Sequence, residues 1–239
     1  MRKVIYLASF LLFTGLMTCY SSDLPDVKES RNLKGFSSIS YGISGNLTVK
    51  IGPEFSVVLE GDEDDVERVV TEVSGDRLTI RHEIWRFHFL DFHGKVNVYI
   101  TLPELDGLSV SGSGKAELIS DIRNSDHLDL SVSGSGKLYA AGVETDELEC
   151  SISGSGDIMI GSAGSADRGD ISISGSGGYS GKSLEIDHLS VRVSGSGSCL
   201  CKAGDSLTAR ISGSGDVTYY GNPRIDSRAS GSGRIRSAD

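Results

Sequence analysis

From residue 107 onward, apolar and polar side chains alternate in a fixed frame around one four-residue word, Ser-Gly-Ser-Gly. The word starts at Ser111, Ser133, Ser153, Ser174, Ser194, Ser212 and Ser230, at intervals of 22, 20, 21, 20, 18 and 18 residues. The residue before it is Val110, Val132, Ile152, Ile173, Val193, Ile211 or Ala229. Two positions further back stand Leu108, Leu130, Cys150, Ile171, Val191, Ala209 and Ser227. Between these two lies Ser109, Ser131, Ser151, Ser172, Arg192, Arg210 or Arg228. That is period-2 patterning, a strand with one apolar and one polar face. After the word the pattern resumes, first at Ala116, Leu138, Ile158, Tyr179, Cys199, Val217 and Ile235. A third apolar position is expected midway through each repeat, at Ile122, Val143, Ala163 and Leu184.

One strand–turn–strand unit cannot bury its apolar face alone, but stacked units can, each column of like residues lying over the next. The pattern predicts an all-β fold, a right-handed parallel β-helix-like solenoid of two main sheets, with about 20 residues per rung. Rungs would stack about 4.8 Å apart, so seven make a section roughly 30 Å long. Ser-Gly-Ser-Gly is then the tight turn between the sheets. Its glycines are Gly112 and Gly114, Gly134 and Gly136, Gly154 and Gly156, Gly175 and Gly177, Gly195 and Gly197, Gly213 and Gly215, and Gly231 and Gly233. Glycine takes positive φ without steric cost, so the pair allows a sharp reversal.

Residues 35–106 lack the word but keep strand chemistry, as in Leu47, Val49, Ile51 and in Val96, Val98, Ile100, Leu102. They are expected to form irregular N-terminal rungs and a cap, continuous as one domain with the regular solenoid of 107–239. The stretch "DEDDVERVVTEV" fits a short helix or a strand with an acidic lead-in.

The first residues change the picture of location. Arg2 and Lys3 precede an apolar run, Val4–Met17, too short to span a bilayer comfortably. Residues 1–18 read as a signal peptide. Leu16-Met17-Thr18-Cys19 resembles a bacterial lipobox, with Cys19 as the lipidation residue. Simple cleavage and a retained anchor are the alternatives. Residues 19–34 are polar and without pattern, as a tether would be. Removing 1–18 takes away Arg2 and Lys3 and no acid, so the net charge of −10 becomes more negative by two. Such acidity argues against nucleic-acid binding, which needs a basic face.

The segments "FSSISYGISGNLTVKIG", "VVLEGDEDD" and "VNVYITLPELDGLSVSGSG", followed by the Ser-Gly-Ser-Gly series, resemble a bacterial domain family, the "putative auto-transporter adhesin, head GIN domain". The resemblance runs from about Phe36 to Ile235. It implies a two-sheet superhelix with Gly-Ser-Gly at the tight turn, no catalytic residues and a role in cell adhesion. Up to Asp239 no barrel-like segment follows, so a lipid on Cys19 is expected to be the anchor instead.

Candidate chemistry is sparse. Without Cys19, Cys150, Cys199 and Cys201 remain, an odd number, best read as buried thiols in the apolar columns. The stretch 81–95 holds the single Trp; Trp85, Phe87 and Phe89 alternate and share one face, either as a plug of the first rungs or as a platform for a sugar ring or partner. Glu83, His88 and His93 have no register that would make them a metal site. Asp62, Glu63, Asp64 and Asp65 lack the spacing and glycine of a calcium loop. The position after each word holds Lys115, Lys137, Asp157, Gly178, Ser198, Asp216 and Arg234, so no carboxylate column is expected there. Arg192, Arg210 and Arg228 recur one per rung and form an outward stripe. Such a stripe protects a sheet edge or holds an acidic glycan or phosphate. Asp226, one position pair before Arg228, could neutralise some of this charge, but Ser190 and Thr208 hold the equivalent places in the two preceding rungs, so the stripe is expected to be under-compensated. No nucleophile-elbow, zinc-helix or P-loop signature occurs.

These readings point to a non-catalytic, exported cell-envelope solenoid, anchored as an outer-membrane lipoprotein and serving adhesion or surface binding. Its partner would be a surface glycan or protein, it would touch the membrane only through its lipid, and no cofactor is expected. A periplasmic structural or signalling-associated protein-binding module is the second reading. A polysaccharide-active β-helix enzyme is the third.

Overall fold

The computed structural model describes residues 26–83 and 95–238. They form nineteen strands and one short helix, wound into a β-solenoid of about 6 turns with roughly 20 residues per rung. Strands leading into each turn pair in parallel to make one sheet, for example Ser131↔Ser151↔Ser172↔Arg192↔Arg210↔Arg228. Strands leaving each turn make the second sheet, as in Leu138↔Ile158↔Tyr179↔Cys199↔Val217↔Ile235. The inward columns of both sheets are buried from Leu108 to Val217. Full burial of each Leu, Ile or Val stabilises by about 1.5–3 kcal/mol. In the last rung the same columns hold Ser227 and Ala229 and are exposed.

The two glycines of each turn share a need for space, since from Gly134 on a Cβ on the first would stand within 2.7 Å of a carbonyl oxygen of the rung before, but they differ in conformation. The first has positive φ in every repeat, from 80° at Gly112 to 126° at Gly213. The second does not. Its lack of a side chain matters because the rung below lies against it: a Cβ on Gly136 would stand 2.9 Å from both the Gly114 carbonyl oxygen and Val110 Cγ1. The expectation that both glycines supply positive φ is therefore corrected. Rungs close up at the turn because backbone bonds run between them, Ser155 N–H to Gly134 O at 2.8 Å and Asp157 N–H to Gly136 O at 3.1 Å.

The intervals shorten from 20 to 18 at a defined place. Gly181 pairs with Cys201 and Glu185 with Lys202, so three residues, 182–184, have no counterpart in the next rung. One extra residue between Ala203 and Ser206 returns part of the difference. The midway column also needs correction. Ala163 is exposed, and the residue opposite Leu184 is Gly164. A Cβ on Gly164 would collide with the Val143 carbonyl oxygen, so only glycine fits this close approach.

The N-terminal region departs most from expectation. Tyr41 lies opposite Val110 and Asn46 opposite Lys115. Gly42-Ile43-Ser44-Gly45 thus occupies the same four positions as Ser111–Gly114 and is an eighth turn in the stack. Ser44 Oγ is 3.3 Å from Ser113 Oγ, and Lys115 N–H donates to Gly45 O at 2.9 Å. Ser38–Gly42 is flanked by Arg77–His82 on its other side, and Asn46–Ile51 by Asn97–Leu102. The second rung in space is therefore the first in sequence. Beyond the outermost rung the pairing turns antiparallel. Val69–Ser74 covers one sheet and Ser56–Gly61 the other. Val27–Arg31, inside the expected tether, adds a further antiparallel strand, with Lys28 Nζ 3.1 Å from Glu60. The acidic stretch makes both of its possible elements, helix Glu63–Glu67 capped by Asp62, then strand Val69–Ser74. Its acids sit in the first helical turn, where the dipole favours them.

Replacing Gly154 or Gly156 with Ala is expected to destabilise by about 1–3 kcal/mol, the first through φ strain and overpacking together and the second through overpacking alone. Ser155→Ala, between them, should cost less than about 0.5 kcal/mol. Guanidinium unfolding of the three variants checks this; equal costs at all three positions would refute the stacked-turn account.

Candidate functional site

The outer face of the sheet that enters the turns carries the arginine stripe. Arg192, Arg210 and Arg228 are direct register partners on successive rungs. They line a groove of about 460 Å³ with Ser194, Ser212 and Ser230, two residues further along the same strands, and with Ser172 and Ser174 of the rung before. A further column, two residues before the arginines, reads Asp170, Ser190, Thr208, Asp226.

This column corrects the expectation of an under-compensated stripe. Arg192 Nη1 donates to both Asp170 carboxylate oxygens, at 2.8 and 2.7 Å, one rung back. Arg210 reaches one rung forward and donates to the Asp226 carboxylate at 2.5 Å and its backbone oxygen at 2.9 Å. The hydrogen bond from Arg210 holds the Asp226 carboxyl below the usual carboxylate range. Both pairs are exposed, so they steer side chains more than they stabilise the fold. Arg228 has no acidic partner among the described residues.

A carboxylate column does exist, but at the opposite corner. Asp126, Asp146, Asp167 and Asp187 each stand between two register pairs, such as Thr145↔Ala166 and Glu147↔Arg168. Asp205 continues the series at the bulge. Each lies seven residues before the first serine of its turn, a spacing readable from the sequence. All five are exposed. The next column, His127, Glu147, Arg168, His188, Ser206, mixes signs, and His188 Nδ1 lies 3.0 Å from Ser206 Oγ. Among the described residues no group of three or more ligands could hold a metal ion.

Cys150, Cys199 and Cys201 are free and buried. They surround Tyr179, whose hydroxyl is buried without a partner. Burial pushes the Cys150 thiol and the Tyr179 phenol far up. A hydrogen bond with Cys201 and burial do the same to Cys199. A protonated thiol is a poor nucleophile, so the cluster is inert packing. Trp85, Phe87, Phe89, His88, His93 and Cys19 lie outside the described residues.

A family model described as "Putative auto-transporter adhesin, head GIN domain" matches residues 35–223. The chain belongs to this family. No curated protein matches it. The head GIN chain is similar to a crystal structure described as a "putative adhesin" from Bacteroides fragilis, with 23% identity, a TM-score of 0.82, and 89% of this chain and 96% of that one covered. A "putative lipid binding protein" from Parabacteroides distasonis is similar at 21% identity, TM-score 0.73, covering 91% and 98%. A "putative adhesin" from Parabacteroides merdae follows at 21% identity, TM-score 0.71, covering 91% and 98%. At these identities the likeness is one of fold.

All three thiols of the head GIN chain should resist Ellman's reagent at pH 8 in the native state and react together on adding denaturant. Fast reaction of any one of them in native buffer would contradict its burial.

Proposed function

We propose that this head GIN protein is an exported, envelope-tethered rod that binds an acidic surface polymer and performs no catalysis. Adhesion is the role this serves. The observation that carries the reading is the groove of arginines in register beside the turn serines, with Arg228 free of acidic competition among the described residues. Guanidinium groups repeated at about 4.8 Å match a polymer bearing repeated carboxylate or sulfate groups. Arg192 and Arg210 can exchange Asp170 and Asp226 for such groups, since exposed ion pairs are worth at most about 1 kcal/mol. The family name and the adhesin-like neighbours support a surface role.

Tethering follows from the lipobox-like Leu16-Met17-Thr18-Cys19. The full-length protein expressed in its host should partition into the detergent phase of Triton X-114, and Cys19→Ala should move it to the aqueous phase. Equal partitioning would remove the anchor.

The groove is tested by melting temperature in polygalacturonate or sulfated dextran. A ligand of the folded state must raise it. The wild type should be stabilised, Arg228→Ser should lose most of the response, and Arg192→Ser should lose less. An unchanged wild type, or a response untouched by Arg228→Ser, would sink the proposal.

A further inference from the structure

The opposite outer face, on the sheet that leaves the turns, carries a different chemistry. One outward column runs Tyr99, Thr48, Glu117, Tyr139, Met159 across five adjacent strands. It holds three of the five exposed large hydrophobic residues among the described positions, Tyr99, Tyr139 and Met159. That concentration is not the scatter of a plain surface. The column crosses a groove of about 380 Å³, at the low end of the roughly 300–1,000 Å³ typical of small-molecule sites.

Tyr139 is laid flat rather than standing off the sheet. Its ring crosses diagonally to the next rung and lies over Gly161, where a Cβ would stand 2.8 Å from Tyr139 Cζ and collide with its hydroxyl. Met159 is its direct register neighbour. Tyr99, at the far end of the column, is fixed by its hydroxyl donating to Glu60. The polar rim is charge-balanced: Lys115 and Lys137 face Glu117 and Asp157, with Lys137 Nζ 3.5 Å from Asp157. A ligand that offers one sign of charge gains nothing net from such a rim. A neutral ligand rich in hydroxyls, each both donor and acceptor, can use every group in it.

We infer that this groove is a subsite for a neutral glycan chain, with Tyr139 as the stacking platform beneath one sugar ring. The apolar face of the sugar covers the Tyr139 ring and the Met159 thioether. Lys115, Lys137, Glu117 and Asp157 take its hydroxyls. The rung repeat of about 4.8 Å is close to the length of one sugar residue in an extended chain, so the column runs with the glycan. The site extends surface binding to a second face and does not depend on the arginine groove.

Isothermal titration of the mature protein with cellohexaose, maltohexaose and mannohexaose tests this. At least one should bind, and Tyr139→Ala should weaken it about tenfold or more. Tyr139→Trp should retain binding. Gly161→Ala, which retains the Tyr139 side chain but pushes its ring off its seat, should also weaken binding. The triple variant R192S/R210S/R228S should bind these neutral probes as the wild type does, which separates this site from the acidic-polymer groove. The inference is overturned if no probe binds at millimolar concentration, if Tyr139→Ala binds as the wild type does, or if the triple arginine variant loses neutral binding. A concentration-dependent dimer abolished by Tyr139→Ala would assign the face to self-association and overturn it equally.

Discussion

The regular rungs of this rod depend on one contact, the bond from a turn-serine N–H to the carbonyl of the first glycine in the rung before, at 2.8 Å from Ser135 to Ser214 and 3.0 Å at Ser232. It brings two turn backbones so close that a carbonyl oxygen lies where a side chain would begin. From Gly134 on, the first glycine is needed both for its conformation and for the space it leaves, and the second for space alone; the N-terminal turn, with Ile43 at the first position, keeps only the second. The strands on either side inherit their register from these turns. A column one residue out of step would bring its polar face into the core. The buried columns and the surface columns are thus consequences of the same constraint.

The period, the two-sheet architecture and the buried columns were legible in the sequence because each rung repeats the same geometric demand. What escaped was set by events within a single rung. Gly42–Gly45 lies 69 residues before Ser111, outside the 20-residue frame, since the chain lays down the outermost rung and the cap between them. Val27–Arg31 has no apolar alternation, because an edge strand over a cap needs only half-buried polar stems. Gly164 is illegible in the midway column because hydrophobic periodicity points to Ala163, while the stacked backbone demands the absence of a side chain. The acid column was legible at Asp226 but its partners were not, because a guanidinium spans a full rung in either direction. Asp170 and Asp226 reach Arg192 and Arg210 from neighbouring rungs, in opposite directions along the stack.

Stacking also dictates how chemistry is displayed. In a globular domain a binding site converges on a point. Here each outward position becomes a line, and neighbouring lines lie about 7 Å apart along the strand. One sheet shows serines that give way to arginines toward the last rungs; the other shows tyrosines and a methionine among balanced charges. Among the described residues the core between the faces carries no buried charge that would couple them beyond Asp65 at the cap. Residues on one face can therefore change without disturbing the other.

The interleaved entry of the chain has a mechanical side. A pull on the chain upstream of Val27 meets first a five-residue strand held along one edge, Val27–Arg31 on Ser56–Gly61. Peeling it away exposes no free end of the solenoid. The next strands in sequence, Ser38–Gly42 and Asn46–Ile51, are each gripped on both edges, by strands that follow them in the chain. Force arriving from that side has to shear two ladders at once to proceed. Traction along the rod is thus stopped at its second rung, and the regular repeats behind it stay wound while the lead strand acts as a fuse.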